Sequence, residues 1–532
     1  MRSNNLSYHL IKSKVGRKLM TVYNINLGIG WASSGVEYAQ AYRAKAFRTM
    51  KIPAKFIFSD LILANNIEDL TKNIGFTDDQ IIWLYNFFTD VKIAPSDYPL
   101  DQLVNDLNLQ NREHKKIISD NGKECQYILA QENLIIVVRM HDKDKETIDQ
   151  VSYVYNQQMV KRDFYSYVKY ASEYYAGTAK DNQVTYLEFF NEDGSLAYTQ
   201  YLDNGKEMYE FPNQRMYYSK NALYAEMIKE LKLQDDDFVI LDRMDEDKQL
   251  NNGQIIFENY HPAKLIVVVH ADHYDPHFTS KQNILWNNFY EYQFTHTDNV
   301  ASYIVATEKQ KELLAKQQKH YRHANPRIDV IPVGSLPQLT VPKKERKPHS
   351  IITASRLAVE KHVDWLVKAV IEAHKKINDI SLDIYGQGAE RSRLEQLIKA
   401  NHAETYIHLM GQRNLNDIYP KYSAYVAAST SEGFGLSLLE AVGAGLPMIG
   451  FDVPYGNQTF IEDGKNGYLL PYNEEWADQR KYESLSKAIV KLFSDDGKLT
   501  KFSNHSYKLA KPYLTENVAK SWKKVLEELS ND

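Results

Sequence analysis

Cysteine is nearly missing from this chain: among 532 residues only Cys125 carries a thiol. No internal disulfide can form, so nothing points to an oxidising compartment. Long apolar runs are missing as well. The longest, LIVVV at 265–269, falls far short of the ~20 residues of a membrane-spanning helix, which argues against insertion but leaves peripheral docking open. Strong charge of either sign is also lacking, with 64 Lys and Arg against 69 Asp and Glu for a net charge of −5. That balance excludes nucleic-acid binding through a bulk electrostatic field. The first 19 residues, MRSNNLSYHLIKSKVGRKL, are basic without the apolar segment of a secretory signal, and are read as an extension with no role of their own.

What is present is alternation. After a Pro-punctuated, basic linker from Ser335 to His349, residues 350–354 read as a strand, followed by a loop holding Arg356 and Lys361 and an amphipathic helix from about His362. LDIYGQG (382–388) and YIHLMGQ (406–412) repeat the strand-then-helix unit, and YVAAST (425–430), PMIGFD (447–452) and YLL (468–470) complete the series. This predicts an α/β fold with a doubly wound parallel sheet, whose ligands bind beyond the carboxyl ends of the strands.

The segment SEGFGLSLLEAVGAGLP (431–447) carries the sharpest signal, two carboxylates with seven residues between them, Glu432 and Glu440. Gly433 and Gly435 break the chain, Phe434 lies between them, and a helix is predicted from about Leu436. The first N–H groups of a helix have no intrahelical partners and sit at the positive end of its dipole, which suits phosphate. Glu432 in the loop and Glu440 a turn into the helix can accept hydroxyl hydrogen bonds, one from a sugar and the other from a ribose. Arg356 and Lys361 supply cations that can hold a diphosphate and neutralise the charge growing on it as it leaves.

The amino-terminal half opens in the same style. From Met20, TVYNINLGIGWASSGVEYAQAYRAKAF reads as strand, glycine-rich loop and helix, a Rossmann-like opening that supplies the facing wall of a cleft. Residues 80–215 break the pattern. They are β-rich and crowded with tyrosine, and Asp193-Gly194 and Asn204-Gly205 mark hairpin turns, so an inserted antiparallel meander is predicted for partner or acceptor binding. Strands in DFVILDR, KLIVVV, YIVAT and IDVIPVG then resume the first unit. Two acidic or histidine-rich stretches invite a metal reading: Asp235-Asp236-Asp237, and His270, Asp272, His273, Asp275 and His277 after the LIVVV strand. The first precedes its strand and reads as a solvated loop. The second would suit a metallohydrolase, but no second cluster of matching spacing appears.

From 350 to 471 the chain resembles the retaining glycosyltransferases of family 4 type with a GT-B fold, through SRLAVEK and the E-x7-E element EGFGLSLLE. The resemblance implies that Glu432 contacts the donor hexose, Glu440 the nucleotide ribose, Arg356 and Lys361 the diphosphate, and the loop of Gly411, Gln412 and Arg413 the uracil. It implies backbone donor contacts from Gly433, Phe434, Gly435 and Leu436, further contacts from Gly35, Val36, Glu37 and Tyr38, and a place at the hexose or reacting centre for His270, with His273 as the fallback. No metal and no other cofactor is implied; the UDP-sugar is a substrate.

YNINLGIGWASSGVEYAQAYRA, the meander, VVVHADH and LWNNFYEYQF narrow the likeness, from Met20 nearly to the end, to the catalytic subunits of accessory-secretion O-GlcNAc transferases, which modify serine-rich repeat adhesins. The resemblance implies UDP-GlcNAc as donor, a serine-rich acceptor, a related non-catalytic partner subunit, and work at the inner face of the cytoplasmic membrane. The expected organisation is an extension (1–19), a first Rossmann-like domain (20–79 and 216–335), the inserted meander (80–215), a nucleotide-sugar-binding domain (336–515) and a terminal helix (516–532). Wall-teichoic-acid glycosyltransferases and a non-catalytic acceptor-binding chaperone are the alternatives. The four charged residues Glu432, Glu440, Arg356 and Lys361 speak against the chaperone.

Overall fold

The structure, a computed structural model, describes residues 20–31, 35–178, 181–242, 252–270 and 272–531. The expected extension at 1–19 lies outside them. Two parallel sheets face each other across a cleft. The amino-terminal lobe begins with β1 (Val22–Asn26) and α1 (Gly35–Met50). Its seven-stranded sheet places β1 beside β2 (Phe238–Leu241), with β3 (Lys264–Val269) next, so the strand order reverses between β1 and β2. Such a reversal opens a crevice at the carboxyl ends of the two strands. β2 and β3 are apolar without alternation because helices cover both faces of a parallel sheet.

The carboxyl-terminal lobe repeats the plan with six parallel strands. β4 (Ser350–Ala354) lies at its centre, and the chain winds outward to Ile407–Gly411 before crossing back to β5 (Ala424–Ala427) on the other side of β4. α2 (Val363–His374) follows β4, and α3 (Leu436–Gly443) follows β5. The switch point of this lobe therefore lies between the loop that carries Arg356 and Lys361 and the loop that carries Glu432.

Between the lobe's third and fourth strands in sequence, the amino-terminal unit is interrupted by an antiparallel sheet of eleven strands. Asn204 and Gly205, both at positive φ, make the expected tight turn between Leu196–Asp203 and Lys206–Glu210. The tyrosines divide between its faces. Tyr198 stacks on Phe189 and Phe211 in the core shared with the amino-terminal lobe. Tyr174, Tyr186 and Tyr201 form a cross-strand row on the other face, Tyr174 and Tyr186 stacked at 4.4 Å. The expected start of this insertion at residue 80 needs correction, because Ile81–Trp83 pairs in parallel with Ala54–Phe58 as the edge strand of the amino-terminal sheet. A three-residue apolar run carries no periodicity that separates the two assignments.

Two crossings join the lobes, and they are bonded to each other. Leu336 and Thr515 exchange backbone hydrogen bonds with the opposite segment, and the Ser335 and Thr515 hydroxyls lie 3.0 Å apart. Beyond them α4 (Thr515–Asn531) returns to the amino-terminal lobe and packs on α1, with Trp522 edge-on to Phe47 at 5.5 Å. The linker's basic run is not simply solvated. Arg346 is half-buried and donates to the carbonyls of Tyr422 and Ala444, closing off the carboxyl end of α3.

Candidate active site

The loop after β4 and the loop after β5 are tied together by one ammonium group. Lys361 Nζ lies 2.7 Å from Glu432 Oε1 and donates as well to the Ser431 carbonyl at 3.1 Å. Both side chains are about one-seventh exposed, at 14 % and 15 %, so each charge depends on the other: removing one partner of a buried pair strands the remaining charge at a cost of about 3 to 5 kcal/mol. The Glu432 carbonyl accepts the Tyr455 and Gly456 N–H groups. Gly456 is required there, since a Cβ would sit 2.3 Å from the Phe434 carbonyl oxygen.

α3 starts where the sequence predicts, with Gly435 at φ +81° as its cap. Phe434 and Leu436 point inward, Phe434 against Phe460 and Tyr513. That leaves the main chain of 433–436, rather than its side chains, for an incoming phosphate. Glu440, one turn on, is deeply set and accepts hydroxyl hydrogen bonds from Tyr419 at 3.0 Å and from Tyr42. Burial raises its carboxyl to about 7, against the lowering effect of the two hydroxyls. Tyr42 belongs to α1, so this bond crosses the cleft. Sequence reasoning missed it, because a tyrosine inside an amphipathic helix has no local signature.

The remaining predicted residues separate. Arg356 is 76 % exposed and paired with Glu360 at 3.1 Å, on the same loop as Lys361 but turned to solvent. Gly411 ends its strand at positive φ, and Gln412 and Arg413 follow as exposed loop residues. Gly35, Val36, Glu37 and Tyr38 form the first turn of α1, with Gly35 and Tyr38 exposed.

His270 is only 6 % exposed and its Nε2 lies 2.6 Å from Asp242 at the carboxyl end of β2. Gln40 and Arg43 from α1 hold the other Asp242 oxygen. Burial works to raise the Asp242 carboxyl, but Arg43 and the hydrogen-bonded His270 ring overcome it and hold it well below the usual carboxylate range. The carboxylate thus fixes the imidazole, leaving Nδ1 as the ring atom that can face a ligand. His273 cannot serve as the fallback. It is fully buried, bonded to Gln317 at 2.6 Å, and burial pushes it down to about 4.

The metal reading of this segment fails on geometry. His270 goes to Asp242, Asp272 to Ser431, His273 to Gln317 and His277 to Glu474, and they do not converge. Asp237 is likewise spoken for, accepting the Thr21 and Gln234 N–H groups. Among the described residues, no helix is long and apolar enough to cross a membrane.

Residues 116–213 match the GtfA extended beta-sheet domain, and residues 348–495 match the Glycosyl transferases group 1 family. The UDP-N-acetylglucosamine–peptide N-acetylglucosaminyltransferase GtfA subunit of Limosilactobacillus reuteri subsp. suis is 61 % identical over 96 % of this chain and 100 % of its own. The chain belongs to the GtfA subunit family. Among solved structures, the pneumococcal O-GlcNAc transferase GtfA in complex with UDP and GlcNAc superimposes with a TM-score of 0.90 at 45 % identity, covering 97 % of this chain and 100 % of that one. A GtfA/B complex matches with a TM-score of 0.88 at 49 % identity over 96 % of this chain and 100 % of that one. These likenesses span both lobes and the inserted sheet; a teichoic-acid enzyme, the poly(glycerol-phosphate) alpha-glucosyltransferase of Bacillus subtilis, spans the same 96 % of this chain and 75 % of its own, but at only 26 % identity.

Proposed function

We propose that this protein transfers N-acetylglucosamine from UDP-N-acetylglucosamine to serine or threonine hydroxyls of a serine-rich repeat adhesin, with retention at the anomeric carbon, in a complex with a related non-catalytic subunit. The activity and the partner rest on membership of the GtfA family, whose pneumococcal member is known with UDP and GlcNAc and which is represented in a GtfA/B complex. The observation that carries the site is the buried Lys361–Glu432 pair at the switch point, directly ahead of the α3 amino terminus. In this reading Lys361, the exposed side chain of Arg356 and the N–H groups of 433–436 take up the charge on the departing UDP. Loss of one such donor costs ~10²- to 10³-fold in rate. The charge is met by protein groups, so no metal is assigned a step. Glu432 orients the hexose, Glu440 holds the ribose, the Gly411–Arg413 loop receives the uracil, and the first turn of α1 and His270 face the donor from the other lobe. The domain division expected from the sequence, moved at the insertion's start, is the matching proposal for organisation. The reaction is placed at the inner face of the cytoplasmic membrane on the strength of the family resemblance.

Mass spectrometry of a serine-rich acceptor, incubated with the protein and its partner subunit and with either UDP-GlcNAc or UDP-glucose, tests this. The expected product carries a 2-acetamido hexose and is lost with Glu432→Gln. Hexose from UDP-glucose instead would overturn the donor assignment, and no product from either donor would overturn the transferase reading for this acceptor.

A further inference from the structure

Asp272 is a half-buried carboxylate to which no catalytic step has been assigned. It follows β3 by three residues, in the amino-terminal lobe, yet its Oδ2 accepts the Ser431 hydroxyl at 2.8 Å from the opposite lobe, across 159 residues of sequence. Ser431 immediately precedes Glu432, and its carbonyl accepts both Lys361 Nζ at 3.1 Å and the Ser429 hydroxyl at 2.8 Å. The next residue of the same amino-lobe segment, His273, lies against the Tyr455 ring with centroids 6.3 Å apart. Tyr455 in turn donates its N–H to the Glu432 carbonyl at 2.8 Å. The main chain on either side of the Glu432 side chain is therefore held by two consecutive residues of the facing lobe.

We infer that Asp272 is a positioning residue, which through Ser431 fixes the loop presenting Glu432 and so makes correct placement of that carboxylate conditional on closure of the two lobes. Three features support a hydrogen-bonding role rather than a charge role. The bond is to a neutral hydroxyl. Burial, the dominant influence, raises the Asp272 carboxyl, and the nearby Glu432 adds to this while Ser431 and Lys361 oppose it. And Lys361, whose charge acts on Asp272, is already committed to Glu432 at 2.7 Å. A carboxylate that serves as an acceptor only should be replaceable by an amide of the same shape, whereas a proton-accepting base should not.

The inference rests on the transferase reading, so the test begins with the wild-type protein and its partner, measuring both glycosyl transfer and donor hydrolysis without acceptor. Asp272→Ala and Ser431→Ala are each expected to lower kcat about tenfold, the worth of one hydrogen bond to a charged group, with less than about a twofold change in KM for UDP-GlcNAc. The double variant should be no slower than either single one, since both remove the same bond. Asp272→Asn, whose amide oxygen can still accept from Ser431, should restore most of the rate without displacing the pH profile. His277→Ala removes a different cross-cleft pair, with Glu474, that is more than 60 % exposed on both sides; it should be silent. Full activity in Asp272→Ala, additive losses in the double variant, an Asp272→Asn as slow as Asp272→Ala, or an equal loss in His277→Ala would each overturn the brace while leaving the transferase reading intact. A wild-type protein inert in both assays would instead bring down the transferase reading and the brace with it.

Discussion

Two tyrosine hydroxyls occupy part of the Glu440 carboxylate, and this bears on how a nucleotide is recognised. An ionised carboxylate offers about four lone-pair sites, so with Tyr42 and Tyr419 bound there is room for the two hydroxyls of a ribose. The binding-competent form is the ionised one, and burial has moved its titration up to about 7. The sign follows directly: a donor that prefers the ionised form binds more weakly as pH falls through that value. Affinity for UDP-GlcNAc, whose own phosphates do not titrate in this range, should fall roughly tenfold from about pH 8 to about pH 6. Glu440→Gln should bind weakly at the higher pH and lose most of the dependence. Isothermal titration calorimetry across the interval decides it, and an unchanged slope in the variant would assign the titration elsewhere. Lys361 and Glu432 make a contrasting pair, where the charges answer each other and neither is free to leave.

At the scale of elements, α3 is held from both ends by groups remote in sequence. Gly334 packs so closely that a Cβ there would lie 2.3 Å from Leu436, and Arg346 closes the carboxyl end. α4 is the more unusual element, following the second lobe in sequence and belonging to the first in space. Its apolar stripe of Val518, Ala519, Trp522, Val525, Leu526 and Leu529 is buried against α1, and Arg43, which also holds Asp242, lies over the Trp522 ring at 5.6 Å. Trp522→Ala should therefore destabilise the protein by about 3 to 5 kcal/mol through the cavity it leaves. It should also lower activity at temperatures where the fold is intact, because Arg43 and with it the Asp242–His270 pair lose their backing. Denaturant unfolding and transfer assays on the same preparation separate the two effects, and a destabilised variant with full kcat would show that the packing is structural only.

For the whole molecule, the long inserted sheet needs an explanation beyond packing. One face is consumed by the core through Phe189, Tyr198 and Tyr209. The other carries the Tyr174–Tyr186–Tyr201 row, with Tyr174 bonded to Glu188 and Tyr201 to Glu210, and Lys161 over the Tyr174 ring. Stacked aromatics with polar tips suit a surface that is wet when alone and covered in a complex. A Tyr186→Ala, Tyr201→Ala double variant should leave the thermal midpoint within a few degrees of wild type and weaken co-elution with the partner subunit. Unaltered co-elution would move the partner to another face.

The fold class was legible in the sequence because each βα unit writes its own pattern. Apolar runs such as 265–269, turn residues such as Asn204-Gly205 and the onset of α3 at Leu436 are local, and strands that must be buried on both faces have few other readings. The same locality placed Lys361 and Glu432 in loops at the carboxyl ends of their strands. The boundary near residue 80 was not legible, since three apolar residues pair equally well with a parallel or an antiparallel neighbour until the rest of the sheet exists. Nor were Tyr42 against Glu440, Asp242 against His270, and Asp272 against Ser431. What the sequence determined by itself was the alternation of elements and the loops on which chemistry can sit. What only the tertiary structure decided was which side chains of one lobe reach the other, because those contacts join residues separated by 159 to 398 positions and exist only once two sheets and a returning helix have packed.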